Sequence, residues 1–246
     1  MTSTGEDELA TYILAKGRHE NRDDGMSFTE MVAYIAGEPH SDHPRCVCPV
    51  ITEFCNRWND NIADDTERTK WMAPFLKSVP GTRLHTVLEL QRRELLFDWA
   101  FREQLPAALE LVPELKSYAR AFRDLPPLSA VNAANVFPLM RQAHADHTAA
   151  MVVVWATAWG RTLPMAMDVG SKALEPTLWD AACERWRILR RQFMDYFVEC
   201  SDEAVQALGI QVSKAAKPQL ANDDRFAAHL LDRMIQLPDN ERAKRT

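Results

Sequence analysis

Apolar residues recur at intervals of three and four along most of the chain, the period of a helix that buries one face. In SFTEMVAYIAG, residues 27–37, the stripe is Phe28, Met31, Val32 and Ile35. Ser27 stands at the N-cap position, Glu30 three residues later completes a capping box, and Gly37 provides the stop. Pro49 suits the first turn of a second helix, on which Val50, Ile51, Phe54, Cys55 and Trp58 share a face. Asp64 or Asp65 is placed to cap a third, carrying Trp71, Met72, Phe75 and Leu76. Residues 82–105 form the longest unbroken periodic run and predict one continuous helix.

Proline then sets the punctuation. Pro106, Pro113, Pro126 and Pro127 cut the next region into short helices. A long helix is expected over 138–159 with Gly160 behind it, another amphipathic one over 176–199, and a short one capped by Ser201 before Gly209. NDDRFAAHLLDRMIQL closes the fold from Asn222 or Asp223, and residues 6–16 predict a short opening helix. Only residues 210–214 resemble a strand, and they have no partner. The pattern predicts an all-α protein, an irregular bundle of roughly eight to ten helices with proline-rich connections. It predicts one domain over 1–246, with a sub-boundary at Pro126-Pro127 and partial flexibility over 1–25.

Charge narrows the class of partner. The formal charge is −6, and residues 1–45 hold nine acidic against four basic residues, so most of the excess lies there. An acidic chain repels polyanions, which argues against nucleic acid. The most apolar run, residues 149–159, is too short to span a bilayer, and the polar start lacks a signal architecture, so no membrane role is expected. Five cysteines, an odd number, point to free thiols in a reducing cytoplasm.

The densest chemistry is GEPHSDHPRCVCP, residues 37–49. His40, His43, Cys46 and Cys48 supply the imidazole and thiolate donors that zinc prefers, with Asp42 as a further ligand or an orienting group. The same stretch reads equally as an ordered connection between two helices. If Pro49 opens a helix, its positive pole and Arg45 would lower the Cys46 and Cys48 thiols, with His40 or His43 as base. A second His-x-Asp-His pattern follows at His144 and His147, three apart on a helix and able to chelate in principle, although a packed stripe with Met140 and Met151 explains it as well. Were the two patterns to meet, they would frame a dinuclear centre. WNDNIADD, residues 58–65, gathers acids that helix capping explains. Trp155 with Trp159, and Trp179 with Trp186, share helix faces and suit a core seam or a ligand pocket. HExxH, GxxxxGK[ST] and GxGxxG are all absent from the sequence.

The stretch from MSFTEMVAYIAGEP through SDHP, a cysteine, PVI and WND resembles a family of proteins found in actinobacteria and their phages, and LLDRMIQL is similar to that family's closing helix. The family often has serine where this chain has Cys48. No activity comes with the resemblance, which implies an intracellular helical protein. The expected function is therefore a module without catalysis that engages a protein partner or a copy of itself. The alternative is a zinc-dependent hydrolase built on the HSDHPRC loop, with metal-bound water as nucleophile.

Overall fold

The computed structural model describes residues 12–129, 131–154 and 224–237, and these contain no strand. Eight α-helices lie among them: α1 (Phe28–Ile35), α2 (Pro49–Asn61), α3 (Asp65–Met72), α4 (Thr86–Trp99), α5 (Leu105–Leu109), α6 (Lys116–Arg123), α7 (Val136–Asp146) and α8 (Thr148–Val154). Residues 224–236 form a further helix, where the closing helix was expected. None of the described helices is long and apolar enough to cross a membrane. The features expected at 6–11, 155–160, 176–199, 201–209 and 210–214, with all four of the paired tryptophans, lie outside the described residues. The chain divides into two compact units, Met1–Glu89 with Leu231–Thr246, and Leu90–Leu230. The division falls within α4, and Pro126-Pro127 lies inside the second unit.

In the first unit the local signals act as their chemistry requires. Glu30 reaches back to the Ser27 backbone N–H at 2.8 Å, and Gly37 takes φ +69° just past α1, a conformation that costs glycine least. Pro49 is the first residue of α2, and the Asp64 carboxylate accepts the Glu67 N–H at 2.9 Å to cap α3. Phe28, Met31, Val32, Ile51, Phe54 and Cys55 are sealed from solvent, and the Trp58 ring lies 6.1 Å from Phe54 and 6.4 Å from Phe75. Each such apolar side chain contributes about 1.5–3 kcal/mol through burial.

Residues 12–16 are not helical. Their backbone is committed elsewhere: Ala15 N–H donates to the Met26 carbonyl at 2.9 Å, and Leu14 N–H to the Thr69 hydroxyl at 2.8 Å. The Leu14 carbonyl accepts from Arg68, whose fully buried guanidinium also donates to the Asn59 and Ile62 carbonyls and meets Asp65. This cation sits on the last carbonyls of α2, where the helix pole is negative. An opening helix extended through residue 15 would withdraw Leu14 and Ala15 from partners that the buried Arg68 needs.

From residue 82 onward the helices depart from the predicted ones in three places, first at the end of the first unit and then twice in the second. Helical structure begins at Thr86 rather than residue 82, because Thr82 and Arg83 are spent on residues 46, 48 and 79: Arg83 N–H donates to the Cys46 carbonyl at 3.1 Å. The chain then passes through Pro106 without stopping. Residues Ala100–Gln104 widen into a π-turn, in which Leu105 N–H reaches back five residues to Ala100. Proline lacks the donor for the carbonyl four residues back and its ring crowds that carbonyl, so a widened turn just before it relieves both problems. The expected helix over 138–159 starts at Val136 and breaks at His147 (φ −142°, ψ 54°). The Thr148 hydroxyl donates at 2.8 Å to the His144 carbonyl, the group that Thr148 N–H holds in a continuous helix. Trp99, Phe101, Leu105, Leu109, Phe122, Val136 and Met151 are buried in this unit.

Candidate functional site

The loop between α1 and α2 is organised by three carboxylates that approach it from outside the His-x-Asp-His pattern. Glu30, fully buried, is the first. Its Oε2 accepts the Ser27 N–H and faces His19 Nδ1 at 2.8 Å, while its Oε1 accepts the His19 N–H at 2.8 Å and lies 3.7 Å from His40 Nε2. Burial pushes this carboxyl up, but the bonds from His19 and Ser27 outweigh burial and hold it below the usual range. His40 Nε2 also lies 3.1 Å from the His19 carbonyl. A single buried anion thus joins the chain before α1, the first turn of α1 and the loop after it.

Glu38 and Glu53 serve the rest of the loop. The Glu38 carboxylate accepts the backbone N–H groups of Arg45 and Cys46, the latter at 2.8 Å. His43 stands between two acids, with Nδ1 2.9 Å from Asp42 Oδ1 and Nε2 3.0 Å from Glu53 Oε1. Partial burial works against its charge, but the two carboxylates prevail and raise its pKa above the usual 6.5.

Neither Cys46 nor Cys55 is placed as an activated thiol. Burial and the neighbouring Glu38 push the Cys46 thiol up, opposite to the lowering expected from Arg45 and the helix pole. Cys48 is the N-cap of α2, fully buried, and its N–H donates to Thr82 Oγ1 at 3.1 Å. Cys55 is likewise buried and its thiol is pushed up by desolvation. All three are free.

The five predicted donors therefore face different ways: His40 to Glu30 and His19, Asp42 and His43 to each other, Cys46 to Glu38, and Cys48 into the core. Among the described residues, no group of three or more His, Cys, Asp and Glu side chains is placed to hold a metal ion. His144 and His147 belong to the other unit. His144 is held below the usual pKa by burial, Asp146 accepts the Tyr118 hydroxyl, and His147 stacks edge-on to Tyr118 at 6.1 Å. The acids of WNDNIADD also have separate tasks: Asp64 caps α3, Asp65 meets Arg68, and Asp60 accepts the Gly17 N–H at 3.0 Å.

Sequence reasoning missed one feature. A half-open cleft of about 60 Å³ is lined by Arg18, Ser27, Asp42, Asn56, Asn59 and Asp60, with Gly17 at its edge. Its floor comes from the polar side of α2, where Asn56 and Asn59 lie three apart, and that spacing was the available signal. Asn59, buried, donates to the Ala15 carbonyl at 3.1 Å and accepts the Phe28 N–H at 3.1 Å. Asn56 donates to the Asp42 carbonyl at 3.0 Å.

This geometry defines an all-α protein with a carboxylate-laced histidine loop and a small polar cleft beside it. Comparison with protein-family models, with curated proteins and with solved structures finds no match.

Proposed function

We propose that this chain works inside the cell without catalysis, by binding another protein, in the first instance a second copy of itself. The observation that carries the reading is a pair of apolar side chains left half in water. Leu84, two residues before α4, and Val87, in its first turn, are each 50% exposed. Apolar side chains exposed beside polar neighbours, here Arg83 and Thr86, are what a partner would cover. In a two-fold dimer the same patch meets itself, so one pair supplies both sides. The net charge of −6 disfavours nucleic acid as the partner. The zinc-hydrolase alternative has no comparable support, since His43 has a carboxylate at each ring nitrogen and Cys48 is sealed in the core.

Sedimentation velocity from about 1 µM to about 200 µM spans the affinities expected of such a contact. Wild type should grow beyond 28.0 kDa with concentration, and Leu84→Asp/Val87→Asp should stay there. A wild type that remains at 28.0 kDa throughout, or a double variant that associates equally well, would overturn the reading.

A further inference from the structure

A neutral imidazole has two ring nitrogens and one proton between them. At His43 both nitrogens lie within hydrogen-bond reach of a carboxylate, which accepts and, when ionised, cannot donate: Nδ1 is 2.9 Å from Asp42 Oδ1 and Nε2 is 3.0 Å from Glu53 Oε1. Both contacts are hydrogen bonds only while the ring carries both protons. The two acids come from different elements, Asp42 from the loop and Glu53 from α2, so the protonated ring ties one to the other. His43, Asp42 and Glu53 are not placed to hold a metal ion together, and the cation they share is a proton.

Other charges on the elements packed here are Arg18 in the segment before α1, whose Nε stands 3.8 Å from Asp42 Oδ1, Arg45 two residues further along the loop, and Arg57 one turn along α2 from Glu53. At 3.8 Å, Arg18 is too distant to hydrogen-bond Asp42 in place of the ring. The two ends of the loop are fixed by bonds that do not need the His43 proton. Glu38 accepts the Arg45 and Cys46 N–H groups, and His40 Nε2 lies 3.1 Å from the His19 carbonyl, a single bond that a neutral ring also makes. The tip at 41–43 has less. His43 N–H donates to Ser41 Oγ at 3.0 Å within the loop, and Asn56 on α2 donates to the Asp42 carbonyl at 3.0 Å.

We infer that His43 is a proton-operated latch: with both ring protons it holds the tip of the α1–α2 loop on α2, and when it gives one proton to water the tip is released from Glu53. Asp42 is the adjacent residue, so its carboxylate travels with the ring and keeps the remaining proton on Nδ1. Nε2 then turns a lone pair toward Glu53 Oε1, and two acceptors at 3.0 Å repel. Asn56 remains as the tie between the tip and α2. The two acids hold the ring toward its charged form, so the latch is closed near neutrality and opens on the alkaline side. The inference does not rest on the association reading, because the Leu84–Val87 pair and the latch share no residue.

The test is amide exchange by NMR on the full chain, in steps from about pH 5.5 to about pH 8.5, which bracket the ordinary histidine range. Each rate is divided by that of the unstructured chain at the same pH, and the state of the ring is read in the same samples from its nitrogen shifts. Wild type should lose about threefold of the protection at the His43 N–H and at the Asn56 side-chain amide as pH rises, the scale of an exposed ion pair. That step should share its midpoint with the ring, while the Cys46 N–H, held by Glu38, should show none. His43→Gln carries no charge and should show the lower protection throughout. Glu53→Gln leaves the ring to titrate against Asp42 but removes the anchor on α2, so its protection should show no step, and it serves if His43→Gln misfolds. The Leu84→Asp/Val87→Asp chain should keep the step, which separates this result from that of sedimentation. Constant wild-type protection while the ring titrates would overturn the inference. So would a ring that keeps one state across the series, or a step of equal size in Glu53→Gln.

Discussion

The pattern His-x-Asp-His occurs twice in this chain, and the two copies do opposite things with the same side chains. At 40–43 the histidines lie in a loop into which Glu30 and Glu53 reach from α1 and α2, and His43 is held toward its charged form. At 144–147 the pattern straddles a helix break, Asp146 is taken by Tyr118, and burial holds His144 toward its neutral form. Identical letters thus give a charged clamp in one place and a desolvated junction in the other. Of the two acids that raise His43, Asp42 belongs to the pattern and Glu53 lies well after it in sequence, while Glu30, which faces His40, lies well before it.

The largest way to break this contrast is to neutralise the buried anion. Glu30→Gln keeps the shape but presents an amide where the carboxylate now receives N–H groups from His19 and Ser27. Leaving such buried donors poorly matched should cost about 2–3 kcal/mol in a urea melt. The 40–43 loop should also lose amide-exchange protection while 144–147 keeps its own. A loss under about 0.5 kcal/mol, ordinary for a surface site, would show that the loop does not depend on Glu30. The second copy should be far less sensitive. Tyr118→Phe removes only the hydroxyl donated to Asp146 at the surface and keeps the ring beside His147, so the cost should stay below about 1 kcal/mol.

How much of this was legible follows from how local each cause is. The Ser27–Glu30 capping box, the Pro49 start of α2 and the Asp64 cap of α3 involve residues within a few positions of each other, and they could be read directly. The non-helical course of residues 12–16 could not, because it depends on Met26, Thr69 and Arg68. The start of α4 at Thr86 depends on the distant Cys46 and Cys48 in the same way. The π-turn before Pro106 was foreshadowed by the proline, but its outcome, a bypass instead of a stop, is set by buried Trp99, Phe101 and Leu105 keeping the helix in register with the core. Of the cleft, Asp42 and Asp60 were visible as acids. Their meeting was not, since it needs the loop, the incoming chain and α2 to be folded together.

The contrast has an equilibrium consequence in pH. A raised His43 pKa means that the folded state binds this proton more tightly than the unfolded chain. Its stabilisation is present below the usual 6.5 and is lost as pH rises through the higher folded value. His144 has the reverse sign: folding must exclude its proton, so its penalty appears as pH falls below 6.5. The two slopes have opposite sign on either side of 6.5: stability rises with pH below it through His144 and falls with pH above it through His43. The most direct measurement is a pH titration of the histidine ring signals by NMR in one sample of the full chain, repeated on Glu53→Gln. We expect His43 to titrate above 6.5 and His144 below it, and Glu53→Gln to lower His43 while leaving His144 in place. If the two rings titrate together, or in the reverse order, the same pattern is doing the same work in both places and the account is wrong.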